Sequence, residues 1–114
     1  MTRILLVEDD VEAKMVMEHV LVDAGYEIDT TETSKAGCDR LRCRLYDLVL
    51  ADAKLPDGTG MAVADEAREN GIKALIVSGD AFSLPYGMMD GYDVFLKPIR
   101  PSQFLHVVAR ALLV

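Results

Sequence analysis

The segment from Tyr46 to Gly60 reads YDLVLADAKLPDGTG. Leu48, Val49, Leu50 and Ala51 form an unbroken apolar run, the pattern of a strand covered on both faces of a parallel sheet. The run stops at Asp52, and Pro56, Gly58 and Gly60 then punctuate a turn-rich stretch. A carboxylate is thereby placed where a buried strand meets the loop at its C-terminal end. In an open α/β sheet that edge is where ligands bind. A single Asp in such a place usually does no more than begin or cap a loop, so the weight falls on what the rest of the chain brings beside it.

Working outward, the same grammar repeats. Ile4 to Val7 is a short apolar run followed at once by Glu8, Asp9 and Asp10. Asp10 is placed to cap a helix from Val11 to about Ala24, with Val16, Val20 and Ala24 as an apolar stripe beside Ala13 and Met17, and Gly25 as its stop. Tyr26 to Thr31 alternates and is rich in β-branched residues, as a strand with one more polar face does. A helix from Thr33 or Ser34 to about Arg44 turns Ala36, Leu41 and Leu45 inward, and Cys38 is expected to fill core space. The third strand is Asp47 to Ala51. Met61 to Asn70 reads as a helix with Met61, Ala64 and Ala67 on a small-residue inner face. Ile72 to Val77 is the fourth strand, ending in Ser78-Gly79-Asp80. Ala81 to Gly91 is the least regular segment, because Pro85 and Gly87 interrupt any helix there. Asp93 to Leu96 is a short fifth strand ending in Lys97-Pro98. Pro101 opens a last helix to about Leu112, with Phe104, Leu105, Val108 and Leu112 as its buried face. Strands and helices in strict alternation predict a parallel sheet with helices on both faces.

Composition bounds the function. The 114 residues suit one domain with a single core, and 51% hydrophobic with 27% charged residues is ordinary for a globular chain. A formal net charge of −7 offers no basic surface to nucleic acid or to an anionic membrane. Cys38 and Cys43 are five apart on a helix, so their side chains diverge and form neither a disulfide nor a metal-ligand pattern. Two free thiols point to the reducing cytoplasm. The N-terminus has too short an apolar run for a signal peptide, and no stretch approaches the ~20 residues needed to span a bilayer.

In a parallel sheet the C-terminal ends of all strands share one edge. Glu8 and Asp9, Asp52, Ser78 and Lys97 each directly follow or end an apolar run, so three carboxylates, a hydroxyl and an ammonium converge in one shallow crevice. Any one of these residues taken singly would be a solvated loop residue; five at strand ends is a much less common coincidence. Three close carboxylates repel and raise each other's pKa. A hard divalent cation relieves that repulsion, and oxygen-only ligands indicate Mg²⁺ rather than Zn²⁺. Lys97 and Ser78 supply a charge and a donor for phosphoryl oxygens, the parts that phosphoryl transfer uses. A carboxylate can itself be the nucleophile, and Asp52 is central in the sheet.

On these residues the chain resembles a response-regulator receiver domain of two-component signalling. ILLVEDD, DLVLADAKLPDGTG, ALIVSGD and FLKPI stand in the family's order across essentially the whole chain. The resemblance implies a flavodoxin-like strand order 2-1-3-4-5 and a single receiver domain over residues 1–114 with no effector domain within it. It implies Asp52 as phosphoacceptor, with Glu8, Asp9, Asp52 and the backbone carbonyl of Lys54 holding Mg²⁺. Ser78 becomes the switch hydroxyl, Lys97 the partner of the phosphoryl group with a cis peptide before Pro98, and Gly79 the small residue that leaves access. The implied donor is a histidine kinase or a His-containing phosphotransfer protein, and the output is a conformational change read by a partner protein. Catalysis is confined to the domain's own phosphorylation and dephosphorylation.

The sequence departs from the family in two places. The aromatic switch position, three before the lysine, is Val94, and strand alternation turns Phe95 to the other face. The interval from Ser78 to Lys97 is short, with Pro85 and Gly87 where helix four should run, so a short or distorted fourth helix is expected. Lys54 and Asp80 flank the crevice, where they would tune hydrolysis or simply be solvated. His19 and His106 lie mid-helix, away from the strand ends. Two other functions compete. One is a phosphorylation-independent interaction module on the same fold. The other is a Mg²⁺-dependent phosphohydrolase, disfavoured because Lys54 stands where such enzymes often carry a second Asp. A nucleotide site is weaker still, because the first β-α turn lacks a Gly-rich loop.

Overall fold

A computed structural model describes residues 1–79 and 87–113. Seven strands and four helices are defined among them: β1 (Arg3–Val7), α1 (Val11–Asp23), β2 (Glu27–Thr31), α2 (Ser34–Cys43), β3 (Leu48–Asp52), β4 (Lys54–Leu55), β5 (Gly58–Thr59), α3 (Gly60–Glu69), β6 (Lys73–Ser78), β7 (Val94–Leu96) and α4 (Pro101–Leu113). Five strands pair in parallel in the order β2-β1-β3-β6-β7, the arrangement expected from the sequence.

The continuous apolar runs have a simple cause. Alternate residues of β1 and β3 serve two cores on opposite faces of the sheet. Ile4, Leu6, Leu48 and Leu50 join Met17 and Leu21 of α1 and Phe104 and Val108 of α4. Leu5, Val7, Val49 and Ala51 join Leu41 of α2 and Val63 and Ala67 of α3. Each fully buried Val, Leu, Ile, Met or Phe among them contributes about 1.5–3 kcal/mol. Gly37 lets α2 approach the sheet, since a Cβ there would lie 2.9 Å from Val7 Cγ2. No helix among the described residues is long and apolar enough to cross a membrane, and both cysteines are free.

Several local expectations need correction. Asp10 occupies the N-cap position of α1 but makes no side-chain cap bond. Its backbone N–H donates instead to Glu8 Oε2 at 3.3 Å. The inward stripe of α1 is Met17, Val20 and Leu21, whereas Val16 is 41% exposed and Ala24 is exposed. Leu45 lies beyond the end of α2 and is 83% exposed rather than buried. Cys38 is half-buried against the second core. The segment after Asp52 is not an open loop: β4 and β5 pair as a two-stranded antiparallel hairpin, Lys54 with Thr59 and Leu55 with Gly58. Of the distorted fourth helix expected between Ala81 and Gly91, residues 81–86 lie outside the described residues, as does Asp80; residues 87–91 form turns.

Candidate functional site

The register of the sheet assembles the crevice. Val7 pairs with Ala51, so the next residues, Glu8 and Asp52, leave adjacent strands side by side. Asp52 pairs with Val77 and Ser78 with Leu96, which brings Ser78 and Lys97 to the same edge. The Lys97 N–H donates to the Ser78 carbonyl at 2.8 Å. The order of the strands reverses between β1 and β3, the point at which open α/β sheets leave a crevice.

Carboxylate oxygens of Glu8, Asp9 and Asp52 all lie within 4.8 Å of one another. Glu8 is fully buried, Asp9 exposed and Asp52 half-buried. Lys97 Nζ sits between two of them, 3.1 Å from Asp52 Oδ2 and 2.8 Å from Glu8 Oε1. The first contact is a hydrogen bond. The second is an ion pair without hydrogen-bond geometry, so Glu8 Oε1 is buried and accepts no hydrogen bond from the described residues. Lys54 N–H donates to Asp52 Oδ1 at 3.1 Å. Ser78 is 2% exposed. Gly79 is exposed, and a Cβ there would make only ordinary contact with Lys97 Cδ at 3.6 Å. The Lys97–Pro98 peptide is cis.

Electrostatics divide the carboxylates rather than raising all of them. Burial, helped by the neighbouring Asp52 and opposed by Lys97, pushes Glu8 up from 4.5 to about 7. Burial also opposes ionisation of Asp52, but the neighbouring Glu8 and hydrogen bonds from the Lys54 N–H and Lys97 outweigh it and hold Asp52 below its ordinary value. Burial pulls Lys97 down, yet Glu8 and Asp52 hold its ammonium above its ordinary value. The site therefore keeps an ionised Asp52 beside a Glu8 carboxyl that takes up a proton as pH falls through about 7. A buried acceptor without a hydrogen bond, beside two more carboxylates, is a donor set that fits a hard divalent cation such as Mg²⁺.

Other features lie apart from this crevice. Phe95 is 6% exposed and meets Phe104 edge-on, with centroids 5.5 Å apart. It belongs to the core under α4, while Val94 faces the side of Met61 and Ile76. His19 and His106 are exposed on α1 and α4. Lys54 is exposed at the rim. A cavity of about 370 Å³, bordered by Arg68, Ile72, Lys73, Gly91 and Asp93, lies at the opposite edge of the sheet where β6 begins, and it includes none of the converging groups.

One residue near the crevice was not anticipated. Asp57, at the tip of the β4–β5 hairpin, accepts from the backbone N–H groups of Ser34 at 2.7 Å and Lys35 at 3.0 Å. The available clue was the Pro56-Asp57 pair, residues common in tight turns, which form the two-residue loop between Leu55 and Gly58. Its reach to a helix 22 residues back in the chain has no local signature.

Fold and crevice together define an α/β module that gathers three carboxylates and one ammonium at a topological switch point. Comparison with known proteins agrees. The response regulator receiver domain profile matches residues 4–109, and the chain belongs to that family. It is 34% identical over 108 residues to the transcriptional regulatory protein DltR of Streptococcus agalactiae, covering 90% of this chain and 48% of DltR. It is 27% identical over 113 residues to the response regulator ArlR of Staphylococcus saprophyticus, covering 96% of this chain and 50% of ArlR. The chain thus spans about half the length of these relatives. Among solved structures, a CheY-like receiver domain from Methanospirillum hungatei superposes with a TM-score of 0.85 at 27% identity, covering 98% of this chain and 94% of that one. A CheY-like receiver from Methylobacillus flagellatus gives 0.82 at 26% identity, covering 97% and 98%.

Proposed function

We propose that this chain is the phosphoacceptor receiver of a two-component phosphorelay, taking a phosphoryl group on Asp52 from a histidine kinase or a His-containing phosphotransfer protein. The observation that carries this reading is the placement of Asp52: ionised, oriented by the Lys54 N–H at 3.1 Å, flanked by Glu8 and Asp9, and held at 3.1 Å by Lys97. In the transfer, an Asp52 oxygen forms a bond to phosphorus as the P–N bond to the donor imidazole breaks, and the imidazole nitrogen keeps the electron pair. Lys97 exchanges its carboxylate partner for a phosphoryl oxygen. Ser78, on the neighbouring strand, supplies a hydroxyl donor for another. Glu8, Asp9, Asp52 and the Lys54 carbonyl would hold Mg²⁺, which when bound neutralises charge on the phosphoryl oxygens. The acyl phosphate adds charge at the sheet edge, and a partner protein reads the resulting shift in conformation.

The test is incubation of the protein with acetyl phosphate and Mg²⁺, followed by intact mass. A single phosphoryl addition in wild type, lost in Asp52→Asn and with chelator, is the expected result. No addition, under conditions that phosphorylate a control receiver, refutes the reading. It would favour a phosphorylation-independent interaction module, which draws its support from Val94 at the aromatic switch position and from Phe95 being packed on Phe104.

A further inference from the structure

We infer that Asp57 is a positioning residue for the phosphoacceptor site, acting by stapling the β4–β5 hairpin to the first turn of α2. The inference rests on the reading of Asp52 given above. Its starting point is the shortness of the hairpin, which is two residues on each side. Isolated two-stranded ribbons are marginal in water, so something else must fix this one. Leu55 anchors one strand in the core beneath α2 and α3. At the tip, the Asp57 carboxylate takes the backbone N–H groups of Ser34 and Lys35, two of the donors that a helix start leaves unpaired. The positive end of the α2 dipole strengthens the contact. Thr33, through its own side chain, satisfies Ala36 N–H at 3.0 Å, so the two residues divide the helix start between them.

The consequence reaches the crevice along the hairpin. Lys54 lies three residues before Asp57 and opposite Thr59. Its N–H orients Asp52 Oδ1, and its carbonyl is the fourth proposed ligand for Mg²⁺. Just past the return strand, at the start of α3, Gly60 N–H donates to the Ala53 carbonyl at 3.2 Å. Gly60 also sits so close that a Cβ would lie 2.2 Å from the Asp52 carbonyl oxygen. A hairpin released at its tip can tilt, and a tilt displaces the Lys54 peptide on which both roles depend. The α2 contact thus sets the position of backbone groups at the site without touching the reacting atoms.

Two perturbations approach the staple from opposite sides. Asp57→Ala removes the acceptor. Ser34→Pro removes one donor from the helix side. Proline suits a first helical position, and Thr33 before it is already extended at φ −131° and ψ 157°. Thr33→Ala is the control, because it weakens the same helix start without touching the hairpin. Each variant is measured in the full chain for thermal stability, hydrogen exchange at the Lys54 amide without metal, Mg²⁺ affinity by calorimetry, and rate of phosphoryl uptake from acetyl phosphate. In Asp57→Ala and Ser34→Pro, Lys54 exchange quickens and Mg²⁺ affinity and uptake rate both fall roughly tenfold, the scale expected when positioning is loosened by less than an ångström. Asp57→Asn keeps an acceptor oxygen and recovers most of the loss. Thr33→Ala loses stability but keeps wild-type exchange, affinity and rate. If Asp57→Ala behaves as Thr33→Ala does, the inference is overturned and the reading of Asp52 stands. If wild type takes up neither Mg²⁺ nor phosphoryl, that reading falls and this inference falls with it.

Discussion

Glu8 gives the most quantitative test. Its side chain is fully buried beside Asp52, and without metal its pKa rises from 4.5 to about 7. The folded state therefore holds the Glu8 proton more tightly than the unfolded chain does. The stability this contributes is fully present below pH 4.5 and is lost as pH rises through about 7. A difference of ~2.5 units at 1.36 kcal/mol each is about 3 kcal/mol over the whole titration, of which about 2.5 kcal/mol is lost between pH 5 and pH 8, a large share of the ~5–15 kcal/mol typical of a domain. Other shifted groups leave that window clear. Asp52, Asp57 and Glu32, held low by their partners, act at lower pH. The Cys38 thiol, raised by burial, acts above it. The perturbation is Glu8→Gln, which stays neutral at every pH. Urea unfolding followed by far-ultraviolet circular dichroism suits a chain with no tryptophan. In chelator, wild type should lose stability from pH 5 to pH 8, and the variant should lose little. At pH 8 the variant should be the more stable of the two. Mg²⁺ should reverse the order, since a ligand at 100 times its Kd adds about 2.7 kcal/mol to the protein that binds it. A wild type whose chelated stability holds level or climbs from pH 5 to pH 8, or a variant that keeps the wild-type slope, refutes the account of Glu8.

Three further outcomes follow from the same geometry. Gly60→Ala forces its new Cβ to within 2.2 Å of the Asp52 carbonyl oxygen, so the backbone must move; a loss of about 1–3 kcal/mol in urea unfolding is expected, together with slower uptake from acetyl phosphate. Phe104→Ala empties a fully buried site against Phe95 and should cost about 3–5 kcal/mol; retention of phosphoryl uptake by the folded fraction would show that this aromatic pair is structural. Lys97→Met keeps the apolar stem but removes the charge that lowers both carboxyls, so carbon-detected NMR titration of the metal-free protein should find Asp52 and Glu8 protonating at higher pH than in wild type. Unchanged midpoints would contradict the placement of Lys97 between them.

How much could be read beforehand depended on the length scale of each cause. The strands were legible because β1, β3 and β6 are covered on both faces, which leaves continuous apolar runs. The convergence of Glu8, Asp52, Ser78 and Lys97 on one edge was legible because parallel strands share a direction. The exposed side of α1 was not, because Val11, Met15 and Val22 are apolar yet 59%, 61% and 53% exposed, and the periodicity names no single face. The hairpin was missed because strands of two residues carry no alternation to detect. The division of Glu8 from Asp52 was missed for a different reason: counting three acids predicts mutual repulsion, whereas the outcome depends on how deeply each is buried and which groups donate to it.

That last point bears on how the crevice works. Register alone makes Glu8 and Asp52 neighbours, since Val7 pairs with Ala51. Two carboxyls so placed cannot both stay ionised at low cost unless a cation serves both. Lys97 satisfies Asp52 by a hydrogen bond and leaves Glu8 Oε1 with an ion pair only. Burial and the neighbouring Asp52 outweigh the Lys97 ion pair at Glu8, whereas Glu8, the Lys54 N–H and Lys97 together hold Asp52 ionised, so it is Glu8 that takes a proton or Mg²⁺. On the proposed reading, proton and metal then compete at Glu8, while Asp52, itself a proposed ligand, is already ionised. Metal affinity should fall as pH drops through about 7, while the ionisation of Asp52 persists well below that point.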